Sequence, residues 1–181
     1  MRRSGITALV IALLLLMIGI ATANQNSPRW QQLTLPFRIA RLSLQEPNAT
    51  LLMPVQGIRV SQVADTWGAP RSGGRRHEGQ DIFATRGTPI YAAADGIITR
   101  ITDRTLGGTS LFITVRGGHR HYYTHLDAYA EGIYVGQPIT TDTLIGYVGN
   151  TGNARTTPPH LHFGVYTASG AIDPLPLLRD R

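Results

Sequence analysis

Short runs rich in Ile, Val, Thr, Phe and Tyr, each closed by Gly, Asn, Asp or Pro, constrain this chain more than any other feature. They fall at 97–102, 110–115, 121–126, 144–148 and 160–166. β-Branched and aromatic side chains fit a pleated surface, and the punctuating residues supply the turns between strands. Beyond the N-terminal apolar run, no stretch keeps a long helical period. The pattern predicts an all-β domain. Leu33, Leu35, Phe37 and Ile39 alternate with other residues and predict an extra strand ahead of it, and Arg41 to Thr50 reads as a linker.

A chain of 181 residues holds one domain of roughly 125 residues and a short leader, with no room for a separate wall-binding module. Arg2 and Arg3 precede an apolar run from Ile6 to Ile20, and Ala21-Thr22-Ala23 has the small-x-small form of a signal-peptidase site. Export to the periplasm or cell envelope, with cleavage after Ala23, is expected. The rival reading is an uncleaved membrane anchor. The absence of cysteine excludes disulfides and lipoprotein attachment, so an exported chain must rely on its core and a bound metal. The 17 basic residues are all arginine, against 11 acids. That balance favours loose attraction to an anionic envelope over nucleic-acid recognition, for which there is no basic helix or stacking motif.

Two motifs bear on chemistry, His77-Glu78-Gly79-Gln80-Asp81 and His160-Leu161-His162. Zinc accepts imidazole nitrogen and carboxylate oxygen, and a catalytic site leaves one position to water, so two histidines and one aspartate are the right count. Side chains alternate along a strand, which sets His160 and His162 on one face about 7 Å apart. One of them can bind metal while the other touches the water. His77 and Asp81 share a face in an extended or a helical segment, and Gly79 argues against a regular helix. His125, in a further aromatic run, is a candidate acid or base. His119 and His121, beside Gly117, Gly118 and Arg120, read as polar residues near a loop.

From about Leu52 to Leu178 the chain resembles the lysostaphin-like, LytM-type zinc metallopeptidases that cut peptidoglycan peptides. The resemblance is carried by His77-x-Gly79-x-Asp81-Ile82, Gly87 to Gly96, Tyr123-Thr124-His125-Leu126, Gly136 to Ile139, Gly146 to Gly152, His160-Leu161-His162-Phe163 and Asp173-Pro174. It implies a compact antiparallel β-sheet or β-sandwich domain of the duplicated-hybrid-motif type over 52–178, with one zinc ion in a groove. An extension over 24–51 precedes the domain, and 179–181 forms a tail. It further implies His77, Asp81 and His162 as zinc ligands, and His125 and His160 as the pair that orients water, takes its proton and stabilises the oxyanion. Tyr123, two residues before His125, is expected on the same strand face, as a donor to the tetrahedral intermediate or as a buried aromatic.

Two departures stand out. Gly164 follows His-Leu-His-Phe where the family often has an acid, so a supporting carboxylate is missing or supplied elsewhere. The stretch from Asp65 to Arg76 is a basic, glycine-containing loop, read as one wall of a substrate groove or as a solvated segment. The implied activity is a zinc endopeptidase on peptidoglycan stem peptides or cross-links, with a D-Ala to meso-diaminopimelate bond preferred. The alternatives are a catalytically silent wall-peptide binder that activates a partner amidase, and a facial-triad iron protein, for which HxD rather than HxxxD is usual. The segment from Asn24 to Thr50 is a further candidate, as an inhibitory strap over the site.

Overall fold

The computed structural model describes residues 27–103 and 106–181. The apolar N-terminal run and the Ala21-Thr22-Ala23 triplet lie outside the described residues. The described chain begins with two short helices, α1 (Pro28–Leu33) and α2 (Leu35–Ser43). The strands are β1 (Leu51–Leu52), β2 (Gln80–Phe83), β3 (Pro89–Tyr91), β4 (Gly96–Thr102), β5 (Ser110–Val115), β6 (Arg120–Thr124), β7 (Leu126–Tyr129), β8 (Pro138–Ile139), β9 (Leu144–Val148), β10 (His160–Thr167), β11 (Gly170–Ile172) and β12 (Leu178–Arg179). The all-β, antiparallel expectation holds, and the five predicted runs reappear as β4, β5, β6, β9 and β10.

The larger sheet runs β11-β10-β6-β5-β4-β8, and a smaller one runs β3-β9-β7. Strand β10 organises the whole. One edge pairs with β6, and the other pairs with β2 over 160–163 and then with β11 over 165–167. Alternation sends Leu161, Phe163 and Val165 of β10 inward to join Leu111, Ile113 and Val115 of β5. Ile90, Leu126, Ile145 and Val148 of the smaller sheet close the same cluster. Each such side chain contributes about 1.5–3 kcal/mol on burial. The opposite face of β10 is left to His160 and His162.

The ends of the domain meet. Leu51 and Leu52 pair in parallel with Leu178 and Arg179, so Leu51 belongs to the domain rather than to the extension. Residues 179–181 are not a loose tail. The Arg181 guanidinium donates to the carbonyls of Met53, Ala92 and Thr141 and lies 5.1 Å over the Tyr91 ring.

The predicted strand at 33–39 is helical. Ser27 caps α1 and Pro28 opens it, while Pro36 sits in the first turn of α2. The positions turned toward the protein are Leu35, Ile39 and Leu42, a helical spacing, whereas Leu33 and Phe37 are exposed. The alternating residues therefore fall on two sides of the helices, Leu35 and Ile39 toward the protein and Leu33 and Phe37 toward solvent. The extension docks where β5 turns into β6: Ser43 and Pro47 sit close to the left-handed Gly118 and Gly117. Arg38 donates to the carbonyl of Gly136, and Tyr134 to the side-chain oxygen of Gln31. None of residues 27–50 lines the cavity described below, so this part of the expected inhibitory strap does not cover the site.

Candidate metal centre

The site is a row across three strands. Asp81 of β2 and Thr124 of β6 both stand opposite His162 of β10, one on each side. His77, just before β2, completes the group. His77 Nε2 lies 2.7 Å from His162 Nδ1 and 3.1 Å from Asp81 Oδ1, and His162 Nδ1 is 3.1 Å from the same oxygen. A tetrahedral ion with bonds of about 2.0–2.1 Å separates its donors by about 3.4 Å, so three converging lone-pair atoms at these separations fit zinc. His77, Asp81 and His162 are also the metal-capable group found among the described residues.

Hydrogen bonds from the far side of each ring set which nitrogen is free. His77 Nδ1 faces the carbonyl of Thr66 at 2.7 Å, His125 Nδ1 that of Thr151 at 2.9 Å, and His160 Nδ1 that of Pro158 at 2.9 Å. A carbonyl only accepts, so each Nδ1 carries a proton, and in the neutral ring Nε2 keeps its lone pair. Backbone oxygens thus orient three of the four key histidines. A side chain at 164 would meet the Tyr166 ring at 2.9 Å and the carbonyl of Glu78 at 3.1 Å.

Thr66 and Gln80 were not legible as site residues, yet they hold the site together. Buried Gln80 accepts from the Thr66 amide and hydroxyl and donates to Asp65 and Asp173, which uses its full amide capacity. That anchors Thr66, whose carbonyl orients His77 and whose hydroxyl accepts the Asp81 amide proton at 2.9 Å. Gly79 is equally required by packing. A Cβ there would lie 2.7–2.8 Å from the His162 ring.

Burial by itself would raise the Asp81 carboxyl, but hydrogen bonds and charge from His162 and His77 outweigh it and hold the group below the usual carboxylate range. Burial lowers His162 despite the opposing pull of Asp81. It also lowers His125 to about 4, against the Thr151 bond. His125 and His160 stand side by side, ring centroids 5.0 Å apart, and His160 Nε2 is 3.8 Å from Asp81 Oδ1.

His125 sits at the break between β6 and β7 with φ of 65°, the one positive φ among the described non-glycine residues. A left-handed backbone at histidine costs about 1–2 kcal/mol. It also undoes the strand alternation on which the expectation for Tyr123 rested. Tyr123 is fully buried on the core face, where its hydroxyl accepts the Ala93 amide proton, and burial pushes its phenol up. Tyr122 and Thr124 line the cavity instead. His121 likewise corrects the surface reading: it is buried on the core face of β6 against Phe163, while His119 is only partly covered in the turn.

The four key histidines and Asp81 open into a cavity of about 530 Å³. One wall is the loop after Asp65, through Arg71, Arg75 and Arg76, so that segment is a groove wall. Arg71 donates to Asp81 Oδ2 at 2.8 Å, leaving Oδ1 to the donor triad.

Residues 75–174 match peptidase family M23, and the chain belongs to that family. It is 39% identical over 125 residues to the L-Ala--D-Glu endopeptidase of Bacillus subtilis, covering 63% of this chain and 38% of that protein. It is also similar to the solved catalytic domain of lysostaphin from Staphylococcus simulans, at TM-score 0.55 and 31% identity over 65% of this chain and 92% of that one. A zinc-containing peptidase from Vibrio cholerae gives TM-score 0.59 and 28% identity, over 73% of this chain and 40% of that one. The chain spans from about a quarter to under two fifths of the length of the first curated relatives it matches.

Proposed function

We propose that the protein is a zinc-dependent endopeptidase that hydrolyses peptide bonds in peptidoglycan stem peptides or cross-links. The observation that carries this is the convergence of His77 Nε2, Asp81 Oδ1 and His162 Nδ1 beside two further histidines whose Nε2 atoms are free. A catalytically silent relative has no support in a site whose three donors are all in place.

His77, Asp81 and His162 would hold the ion, Asp81 as an anion whose second oxygen is engaged by Arg71. Zinc bound there supplies Lewis acidity toward the scissile carbonyl and lowers the pKa of water to about 7. The chain's own part falls to His125 and His160. Each is oriented by a backbone carbonyl, and each offers an Nε2 lone pair that can accept the proton of attacking water. Having accepted it, the imidazolium can donate to the developing oxyanion or to the departing amine. His125 is neutral at pH 7, because burial lowers it to about 4. A protonated His125 therefore gives up its proton readily to an amine. The position of Tyr122, edge-on to His162 with centroids 6.1 Å apart, makes it a wall of the substrate groove.

The L-Ala--D-Glu endopeptidase and the lysostaphin catalytic domain support a wall-peptide substrate. Export to the cell envelope belongs to the same proposal and rests on the N-terminal sequence. Digestion of muropeptides with residues 24–181, with zinc and with a chelator, tests the activity by mass spectrometry of the products. Metal-dependent loss of cross-linked or stem species is expected. Full zinc occupancy with no cleavage of any muropeptide would overturn the reading.

A further inference from the structure

The wall of the cavity beside His77 carries more positive charge than the metal site uses. Arg71, Arg75 and Arg76 all line it, together with Glu78 and Asp81. Arg71 is matched to Asp81. Among the described residues, neither Arg75 nor Arg76 has a carboxylate within ion-pair distance.

These two side chains are nevertheless held. The loop closes on itself through a bridge between Pro70 and Arg76 and a 2.9 Å bond from the Arg71 amide to the Arg75 carbonyl. Gly73 and Gly74 make its turn with positive φ. Arg75 Nε donates to the carbonyl of Ser72 at 3.2 Å, and Arg76 Nη1 to that of Gly68 at 3.0 Å. A guanidinium has five N–H donors, so Arg75, which also reaches the Ser72 hydroxyl, and Arg76 each retain most of their capacity while tethered to the loop. Two such groups next to a catalytic centre lack only an anion. Planar guanidinium pairs bidentately with carboxylate, and pre-ordering of the side chains reduces the entropy lost on binding.

Resting on the endopeptidase reading, we infer that Arg75 and Arg76 form a carboxylate-recognition subsite, and that the substrate is a peptide with a free carboxylate close to the bond cut. A neutral glycine bridge leaves both guanidiniums unmatched and gains nothing from them. An acidic stem peptide, of the kind that contains D-glutamate, satisfies them. The subsite selects on charge and planarity, so it acts in binding and leaves the proton transfers to His125 and His160.

The test uses two synthetic cross-linked dimers of the stem peptide L-Ala-γ-D-Glu-meso-diaminopimelate-D-Ala. One has free carboxylates and the other has the D-Glu and diaminopimelate carboxylates amidated. Binding of each labelled dimer to the zinc-loaded protein is read by fluorescence anisotropy, and cleavage by mass spectrometry. The free acid is expected to bind about tenfold tighter, the difference between net hydrogen bonds to charged and to neutral groups. That ratio should collapse toward one in the double variant Arg75→Gln, Arg76→Gln, and should shrink at high salt because an open wall is screened. Zinc content of the variant, expected to stay at one ion per chain, separates a lost subsite from a lost fold. Equal binding of the two dimers, or a ratio that the double variant leaves in place, overturns the inference while cleavage persists. Preferential binding without metal-dependent cleavage keeps carboxylate recognition and overturns the endopeptidase reading. If neither dimer binds, both are wrong.

Discussion

Asp81 and His162 face each other as a cross-strand pair of β2 and β10, carboxylate Oδ1 to imidazole Nδ1 at 3.1 Å. The sheet register therefore makes the metal site: shifting β2 by one residue would put Ile82 opposite His162 and send Asp81 into the core. The pair also depends on Gly79, because any side chain there meets the His162 ring. Replacing Gly79 by Ala is expected to displace His162 and weaken zinc binding by about 10–100-fold, the scale seen when groups that position metal ligands are lost. Competition with a chromophoric chelator measures it, and an affinity equal to that of the parent protein would show that the ring has room to move.

Loss of the Gln80 hub should be felt in both fold and metal. Gln80→Leu removes four hydrogen bonds, while Asp65 and Asp173 keep the amides of Trp67 and Leu175 as donors. A destabilisation of about 1–2 kcal/mol is expected, the scale of the net hydrogen bonds that Thr66 loses. Urea unfolding of the zinc-free protein gives the value, and a change below about 0.5 kcal/mol would mean that the loop holds Thr66 without it.

The fold was legible wherever one run of residues settled its own state. Ser110–Val115 and Leu144–Val148 were read with their observed ends because Phe112 to Val115, and Ile145, Tyr147 and Val148, are β-branched or aromatic. The grouping of His77, Asp81 and His162 was legible because each motif is local and the two pair directly. What escaped notice depends on contacts distant in sequence or on a single backbone angle. Thr66 and Gln80 matter only because the loop folds back on β2. Of the two readings of Tyr123, donor or buried aromatic, the buried one holds, because the left-handed His125 breaks the alternation that would set the two on one face, and the alternation from Leu33 to Ile39 fell on helices.

His121 predicts an acid-sensitive core. Burial, helped by His119, pushes its pKa down to about 3, and its Nδ1 has no hydrogen-bond partner among the described residues. The folded value lies below the unfolded value of about 6.5, so as pH falls the unfolded chain takes up the proton first. Stability present at neutral pH is lost from about pH 6.5 down to about pH 3, at about 1.4 kcal/mol per unit. Between about pH 7 and about pH 5 the parent protein should lose about 2 kcal/mol more than His121→Leu. Parallel losses in the two proteins would contradict a neutral buried imidazole.

The extension should prove dispensable for catalysis. Residues 27–50 dock at the β5–β6 turn and at Gly136, away from the cavity. A chain starting at Leu51 is expected to cleave muropeptides at the same rate as one starting at Asn24, with a lower melting temperature. A several-fold rise in rate on removing 24–50 would restore an inhibitory role for the segment.

The most direct test of the central claim is zinc stoichiometry by mass spectrometry, with hydrolysis assayed alongside, in the parent protein and four variants. One zinc per chain is expected in the parent protein, in His125→Ala and in His160→Ala. The latter two should lose about 10²–10⁴-fold in rate, the usual contribution of a positioned acid or base. Asp81→Ala and His162→Ala should lose tight zinc binding, since each removes a donor from a set of three. Stoichiometric, tightly held zinc in either of those two variants would contradict the ligand set, and the proposed mechanism with it.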